Sequence, residues 1–182
     1  IYNLYFQITH DAIKKYGDTT ILLYQVGAFF EMYGIQDPQT KKITKKTKAI
    51  MPVHLYGNVA FLDRISEIAK KHNLPIIEDS AQSLGSTYKG KHAGTFFDLG
   101  CWSMYPAKVM TAGEGGFIVT NSKKLRDKLL MIRNHGMVHG YDTKIFGLNL
   151  RLPEISAAIA TIQMKKLPSF LKQRKKNANL LS

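Results

Sequence analysis

With 182 residues and 45% hydrophobic content, the chain is long enough for one domain with a real core, and its composition excludes disorder as the default. A formal net charge of +13 suits nucleic acid, anionic membrane surfaces or phosphorylated small molecules alike and selects none of them. The charge is uneven, because residues 1–37 hold only Lys14 and Lys15 against Asp11, Asp18, Glu31 and Asp37, so the whole excess follows Asp37.

Residues 1–36 read as a short α/β unit in which THDAIKKYG has helix-compatible spacing, Gly17-Asp18 punctuates it, and TILLYQVGAFFEMYG is strand-like. From Asp37 the polar, basic run DPQTKKITKKTK marks a junction at 37–47, best read as a solvated linker. AIMPVHL then predicts a strand. YGN supplies a turn with Asn58 as cap, and VAFLDRISEIAKKH a helix with Phe61, Leu62, Ile65, Ile68 and Ala69 at helical spacing. LPIIEDS follows as a short buried strand, and strand, helix and strand in close order predict a parallel βαβ crossover.

STYKGKHAGT reads as a hairpin or loop with glycines at its bends, and DLGCWSMY and GGFIVT as two further strands. SKKLRDKLLMIRNHG is an amphipathic helix that Ser122 caps and Gly136 ends. Residues 137–152 read as loop, and PEISAAIATIQMKKL begins a helix that Pro168 is expected to interrupt, with KQRKKN beyond it as a solvated face. Cys101 is the single cysteine, so it forms no intrachain disulfide and reads as a buried thiol in a reducing, cytoplasmic setting. Neither a membrane-spanning apolar run nor a leader pattern is present, which predicts a soluble, unexported protein with no membrane partner. No metal site is expected.

The chemistry-bearing residues cluster between Ile76 and Gly116. Asp79 closes an apolar strand, where α/β proteins place ligand groups. Lys108 lies in a loop of small residues between two strands, ahead of Gly113, Gly115 and Gly116, whose conformations bulkier residues do not reach. A lysine amine for an aldehyde, a carboxylate for a pyridine nitrogen and a hydroxyl such as that of Ser103 for a phosphate are what pyridoxal phosphate demands of a protein.

The segments PVHLYG, EDSAQSLGSTYKGKHAGTFFDLGCWSMYPAKVMTAGEGG, RNHGM and GLNLRLPEISAAIA, in that order, resemble the motifs of the DegT/StrS family of pyridoxal-phosphate-dependent sugar aminotransferases from about Ile43 to the end. The resemblance implies an α/β fold: part of the fold type I aminotransferase large domain (three-layer αβα, mostly parallel sheet), behind a short unrelated N-terminal α/β piece. The implied division is 1–36, a junction at 37–47, and a partial cofactor domain over 48–182. By position, Lys108 would be the Schiff-base lysine and proton carrier, Asp79 the partner of the pyridinium nitrogen, Gln82 the contact of the ring hydroxyl and Ser103 a phosphate ligand. Asn149 would reach the phosphate of a neighbouring subunit, implying a homodimer with shared sites. His54 falls in a motif beside the pocket, while its residue type suits a buried, hydrogen-bonded structural histidine equally well. The implied reaction is transamination of a nucleotide-linked keto-sugar with an amino acid donor such as glutamate. A dehydratase branch carries histidine in place of the lysine, and Lys108 argues against it.

Enzymes of this fold need roughly twice this length, so weak or absent activity is expected of this stretch alone. A reading from a different class rests on YGDTTILLYQVGAFFEMYG, which resembles the start of the mismatch-recognition domain of MutS-type DNA repair proteins through Phe29-Phe30-Glu31. It implies that Phe29 stacks on a mispaired base and Glu31 contacts it, with the basic remainder as platform. A chimeric fragment without function of its own is the bland alternative.

Overall fold

The computed structural model describes residue 43, residues 47–181 and the backbone of residues 23–26 and 29–32. Two compact units are present, Ile1–Ala49 and Ile50–Ser182. In the first, β1 (Leu23–Val26) and β2 (Phe29–Met32) pair antiparallel with Val26 opposite Phe29. The helix expected over THDAIKKYG lies outside the described residues, as do the side chains of Phe29 and Glu31.

The second unit is built on a sheet of order β3-β6-β7, comprising Ile77–Asp79, Leu99–Ser103 and Gly116–Val119. β3 and β6 are parallel and β7 is antiparallel to β6, so the sheet is mixed. The strand expected over AIMPVHL appears only as parallel bridges, Ile50 to Ile76 and Val53 to Asp79. Ile77 N–H donates to Ile50 C=O at 2.9 Å, Asp79 N–H to Pro52 C=O at 2.9 Å, and His54 N–H to Asp79 C=O at 3.0 Å. Pro52 has no N–H to add the next rung, which is why the ladder stays broken. The predicted βαβ crossover nevertheless holds, with α1 (Leu62–His72) between the bridged segment and β3.

α1 starts four residues beyond Asn58, and Asn58 is not its cap. Asn58 is extended (φ −79°, ψ 117°) and closes the preceding 3-10 turn, Leu55–Gly57, through its N–H to Leu55 C=O at 2.9 Å. The helix ends at Asn73, left-handed at φ 51°, a conformation asparagine tolerates better than most residues. α1 buries Leu62 and Ala69, one helical face, while Lys70, Lys71 and His72 fill its last turn, where positive charge is favoured.

β4 (Thr87–Tyr88) and β5 (Lys91–His92) form the expected hairpin, with Lys89 and Gly90 both at positive φ in its turn. α2 (Lys123–Ile132) is capped as predicted, the Ser122 hydroxyl accepting from Leu125 N–H at 3.3 Å. It ends before Gly136, and the left-handed pair His135 and Gly136 turns the chain away, Gly136 N–H reaching back to Met131 C=O at 2.8 Å.

α3 (Glu154–Leu181) runs straight through Pro168. Proline forfeits the one bond that its N–H would give Met164 C=O, and the ladder on both sides carries the helix past that gap. Its inner face packs at Ala160 and Leu167 on a core of Met104, Met110 and Ala112, together with Leu84, Phe117 and Leu152. Leu171 lies over Gly85, where an added Cβ would stand 2.5 Å from its methyl group. The KQRKKN segment is exposed.

Candidate active site

Parallel pairing puts the carboxyl ends of β3 and β6 on one edge of the sheet. The register sets Asp79 opposite Cys101 and Glu78 opposite Gly100. Side chains alternate along a strand, so Asp79, Cys101 and Ser103 share one face while Glu78, Gly100 and Trp102 share the other. Burial follows the alternation: the first three are half-buried and the second three buried. The Cys101 thiol is pushed up to about 11 by burial and, second, by the negative charge of Asp79 beside it.

Asp79 Oδ1 accepts from Ala81 N–H at 3.0 Å. Among the described residues Oδ2 has no hydrogen-bond partner, which leaves one carboxylate oxygen for a ligand. Gln82 is three residues on, in the turn after β3, where its Oε1 accepts from Tyr56 N–H at 2.7 Å. That bond fixes the carboxamide and leaves its NH2 group to donate elsewhere. It also ties Gln82 to an aromatic residue held at φ 53° with its side chain 89% exposed.

Ser103 closes β6, and its Oγ accepts from Tyr105 N–H at 3.2 Å, so the hydroxyl proton remains free for an anion. Lys108 is half-buried in the loop that follows, whose turn is set by Lys108 N–H to Tyr105 C=O at 2.9 Å. The loop returns at Met104, whose C=O accepts from Ala112 N–H at 2.9 Å and from the Thr111 hydroxyl at 3.0 Å. Gly113 and Gly115, at φ 81° and 133°, reverse the chain into β7. Asn149 stands apart from this edge: it bridges Asn134 beyond the end of α2 and is exposed, and no hydrogen bond among the described residues links it to Asp79, Ser103 or Lys108.

On the opposite face Glu78 and His54, both 0% exposed, make a pair at 3.1 Å from Oε2 to Nε2. His54 Nδ1 accepts from Ala60 N–H at 3.3 Å, which places the ring proton on Nε2, facing Glu78. With both ring nitrogens engaged, His54 is the buried, hydrogen-bonded histidine that its residue type suggested. Glu78 Oε2 also accepts from Gly94 N–H at 2.6 Å, and Oε1 from Phe96 and Phe97 N–H at 2.7 and 3.1 Å. Glu78 does not stand out from local pattern. The available signal was two adjacent acids ending an apolar strand, of which alternation sends one inward.

The solved structures that resemble this fold are aminotransferases and related enzymes, one of them with bound PLP. The model of the DegT/DnrJ/EryC1/StrS aminotransferase family matches residues 35–182, and the chain belongs to that family. It is 41% identical over 172 residues to the GDP-perosamine synthase of Escherichia coli O157:H7, covering 93% of this chain and 47% of that protein. To the UDP-N-acetyl-3-dehydro-alpha-D-glucosamine 3-aminotransferase of Acidithiobacillus ferrooxidans it is 38% identical, covering 95% of this chain and 47% of that protein. Among solved structures, an aminotransferase from Psychrobacter cryohalolentis superposes with TM-score 0.70 at 39% identity, over 75% of this chain and 38% of that one. The E. coli GDP-4-keto-6-deoxy-D-mannose-3-dehydratase with bound hydrated PLP gives 0.70 at 35% identity, over 75% of this chain and 40% of that one. The chain spans about half the length of the relatives it matches.

Proposed function

We propose that this chain supplies the cofactor-facing half of a pyridoxal-phosphate-dependent aminotransferase that aminates a nucleotide-linked keto-sugar with an amino acid donor such as glutamate. The observation that carries the reading is the edge itself, where Asp79, with Oδ2 unpaired, shares a face with Ser103 while Lys108 follows on the next loop. The donor set fits the group. Asp79 Oδ2 would accept from a protonated ring nitrogen, the Gln82 NH2 would donate to the ring hydroxyl, and the Ser103 hydroxyl would donate to the phosphate. Pyridoxal phosphate supplies the electron-withdrawing ring that lets an amino group pass between carbon skeletons. Lys108 would hold the aldehyde through Nζ and, once displaced from it by the donor's amine, would carry the proton as a free amine.

The nucleotide-sugar substrate follows from the names of relatives, among them a GDP-perosamine synthase and a UDP-sugar aminotransferase. Exposed Asn149 suits a role at a second copy's site, and a homodimer with shared sites is part of the reading. A cytoplasmic setting suits the single unpaired thiol. No helix among the described residues is long and apolar enough to cross a membrane.

Borohydride reduction of the chain with pyridoxal phosphate, followed by peptide mass analysis, tests the proposal. One adduct on Lys108 is expected, with the visible absorbance of the bound cofactor abolished in Lys108→Ala. Adducts scattered over the exposed lysines, unchanged by that substitution, would sink it.

A further inference from the structure

The buried pair behind the sheet has no part in that donor set, yet it is tied to the segment that bridges Asp79 and to the loop packed behind β3. Glu78 gathers four N–H donors: His54 Nε2 and the backbone amides of Gly94, Phe96 and Phe97. His54 gathers Ala60 N–H on its other nitrogen, and its own backbone N–H donates to Asp79 C=O at 3.0 Å. One carboxylate and one imidazole therefore join the 50–54 segment, β3 and the 93–97 loop.

That loop lies on the buried face at closest approach, because a Cβ on Gly100 would meet the Gly94 backbone and a Cβ on Gly94 would meet the Trp102 ring. Glu78 and Asp79 are consecutive on a strand of three residues. Fixing one side chain behind the sheet fixes the backbone orientation from which the other leaves on the front. A buried carboxylate is costly to place unless it is so satisfied, and the four donors hold both Glu78 oxygens in one orientation.

We propose that Glu78 and His54 are positioning residues for the candidate cofactor site, acting through the backbone of β3 to hold the Asp79 carboxylate against Cys101 at the carboxyl edge of the sheet. This rests on the aminotransferase reading for its purpose but not for its test. Cys101 is the only thiol in the chain, and burial first, then the charge of Asp79, raises its titration to about 11. The part of the alkylation midpoint that is lost in Asp79→Asn reports where Asp79 stands, without cofactor.

The experiment compares the wild-type chain with Asp79→Asn, Glu78→Gln and the double variant, together with His54→Gln, which keeps a donor toward Glu78 and serves if Glu78→Gln does not fold. Circular dichroism checks folding. The expected result is that Glu78→Gln lowers the alkylation midpoint below about 11 in the same direction as Asp79→Asn, and adds nothing in the Asp79→Asn background. His54→Gln is expected to lower it less. With added pyridoxal phosphate, the pH titration of the bound cofactor's absorbance should shift in Glu78→Gln while the adduct stays on Lys108. A folded Glu78→Gln chain, or a folded His54→Gln chain where the first does not fold, with a lower melting temperature but an unmoved Cys101 midpoint would overturn the proposal and leave the pair a stability element. Failure of the wild-type chain to take the cofactor at Lys108 would sink the aminotransferase reading alone, since the thiol readout decides the positioning role independently.

Discussion

Cys101 shows how one side chain registers its surroundings. Burial and the neighbouring Asp79 charge both disfavour the thiolate, so the folded thiol titrates at about 11 against an ordinary 9.0. A raised value means that the folded state holds the proton more tightly than the unfolded one. The stability this contributes is whole below about pH 9 and is lost as pH rises through about 11. Urea unfolding midpoints measured across that window should fall, and Cys101→Ala should fall less steeply; parallel curves would show that the thiol is not coupled to folding. At the same scale, sequence pattern identified Asp79, Gln82, Ser103 and Lys108 because each belongs to a local run. It could not say that Gln82 spends its carbonyl on Tyr56, because that partner lies 26 residues away along the chain and only the fold brings the two together.

Elements are decided by what they pack against. The 93–97 loop is pressed onto β6 so closely that Gly94, at φ 81°, has the Trp102 ring and Ser80 Oγ where a side chain would begin. Gly94→Ala is expected to destabilise the chain by roughly 2–4 kcal/mol, from overpacking plus the left-handed backbone. Chemical denaturation measures it, and a loss under ~0.5 kcal/mol would show the loop free to retreat. Trp102 in turn stacks on its cross-strand partner Phe117, ring centroids 5.0 Å apart, a contact worth about 1 kcal/mol beyond its buried area. α3 presents the opposite case, in which local preference was overruled. Pro168 predicts an interruption, yet contacts on both sides of it, at Leu167 and Leu171, hold the helix continuous. Pro168→Ala should therefore raise stability by about 1–3 kcal/mol in thermal unfolding, by restoring one helical bond without moving the helix. No gain would mean that the helix is already parted there.

Among the described residues several large apolar side chains are uncovered. Tyr141 is 97% exposed, Phe146 85%, Phe61 80% and Ile155 78%. Among the described residues β7 pairs only with β6, so its other edge offers backbone donors and acceptors. An open strand edge of this kind is covered in stable assemblies, so the chain is expected to associate as concentration rises, measured by sedimentation velocity. A monomer persisting at high micromolar concentration would contradict this.

The sequence by itself determined the α/β class, the order of the elements after residue 48, the cap at Ser122 and the ordered motifs that carry the family resemblance. Each of these is written in short windows: apolar periodicity, turn residues and motif order. Tertiary structure alone decided that AIMPVHL pairs through a broken ladder, that α1 starts at Leu62 and not after Asn58, that Pro168 is absorbed, and that the acid beside Asp79 is the centre of a buried network. The physical reason is common to all four. Hydrogen-bond satisfaction and close packing are settled between segments distant in sequence, and a strand of three residues acquires a front and a back only when a neighbouring strand and a covering loop give it two faces.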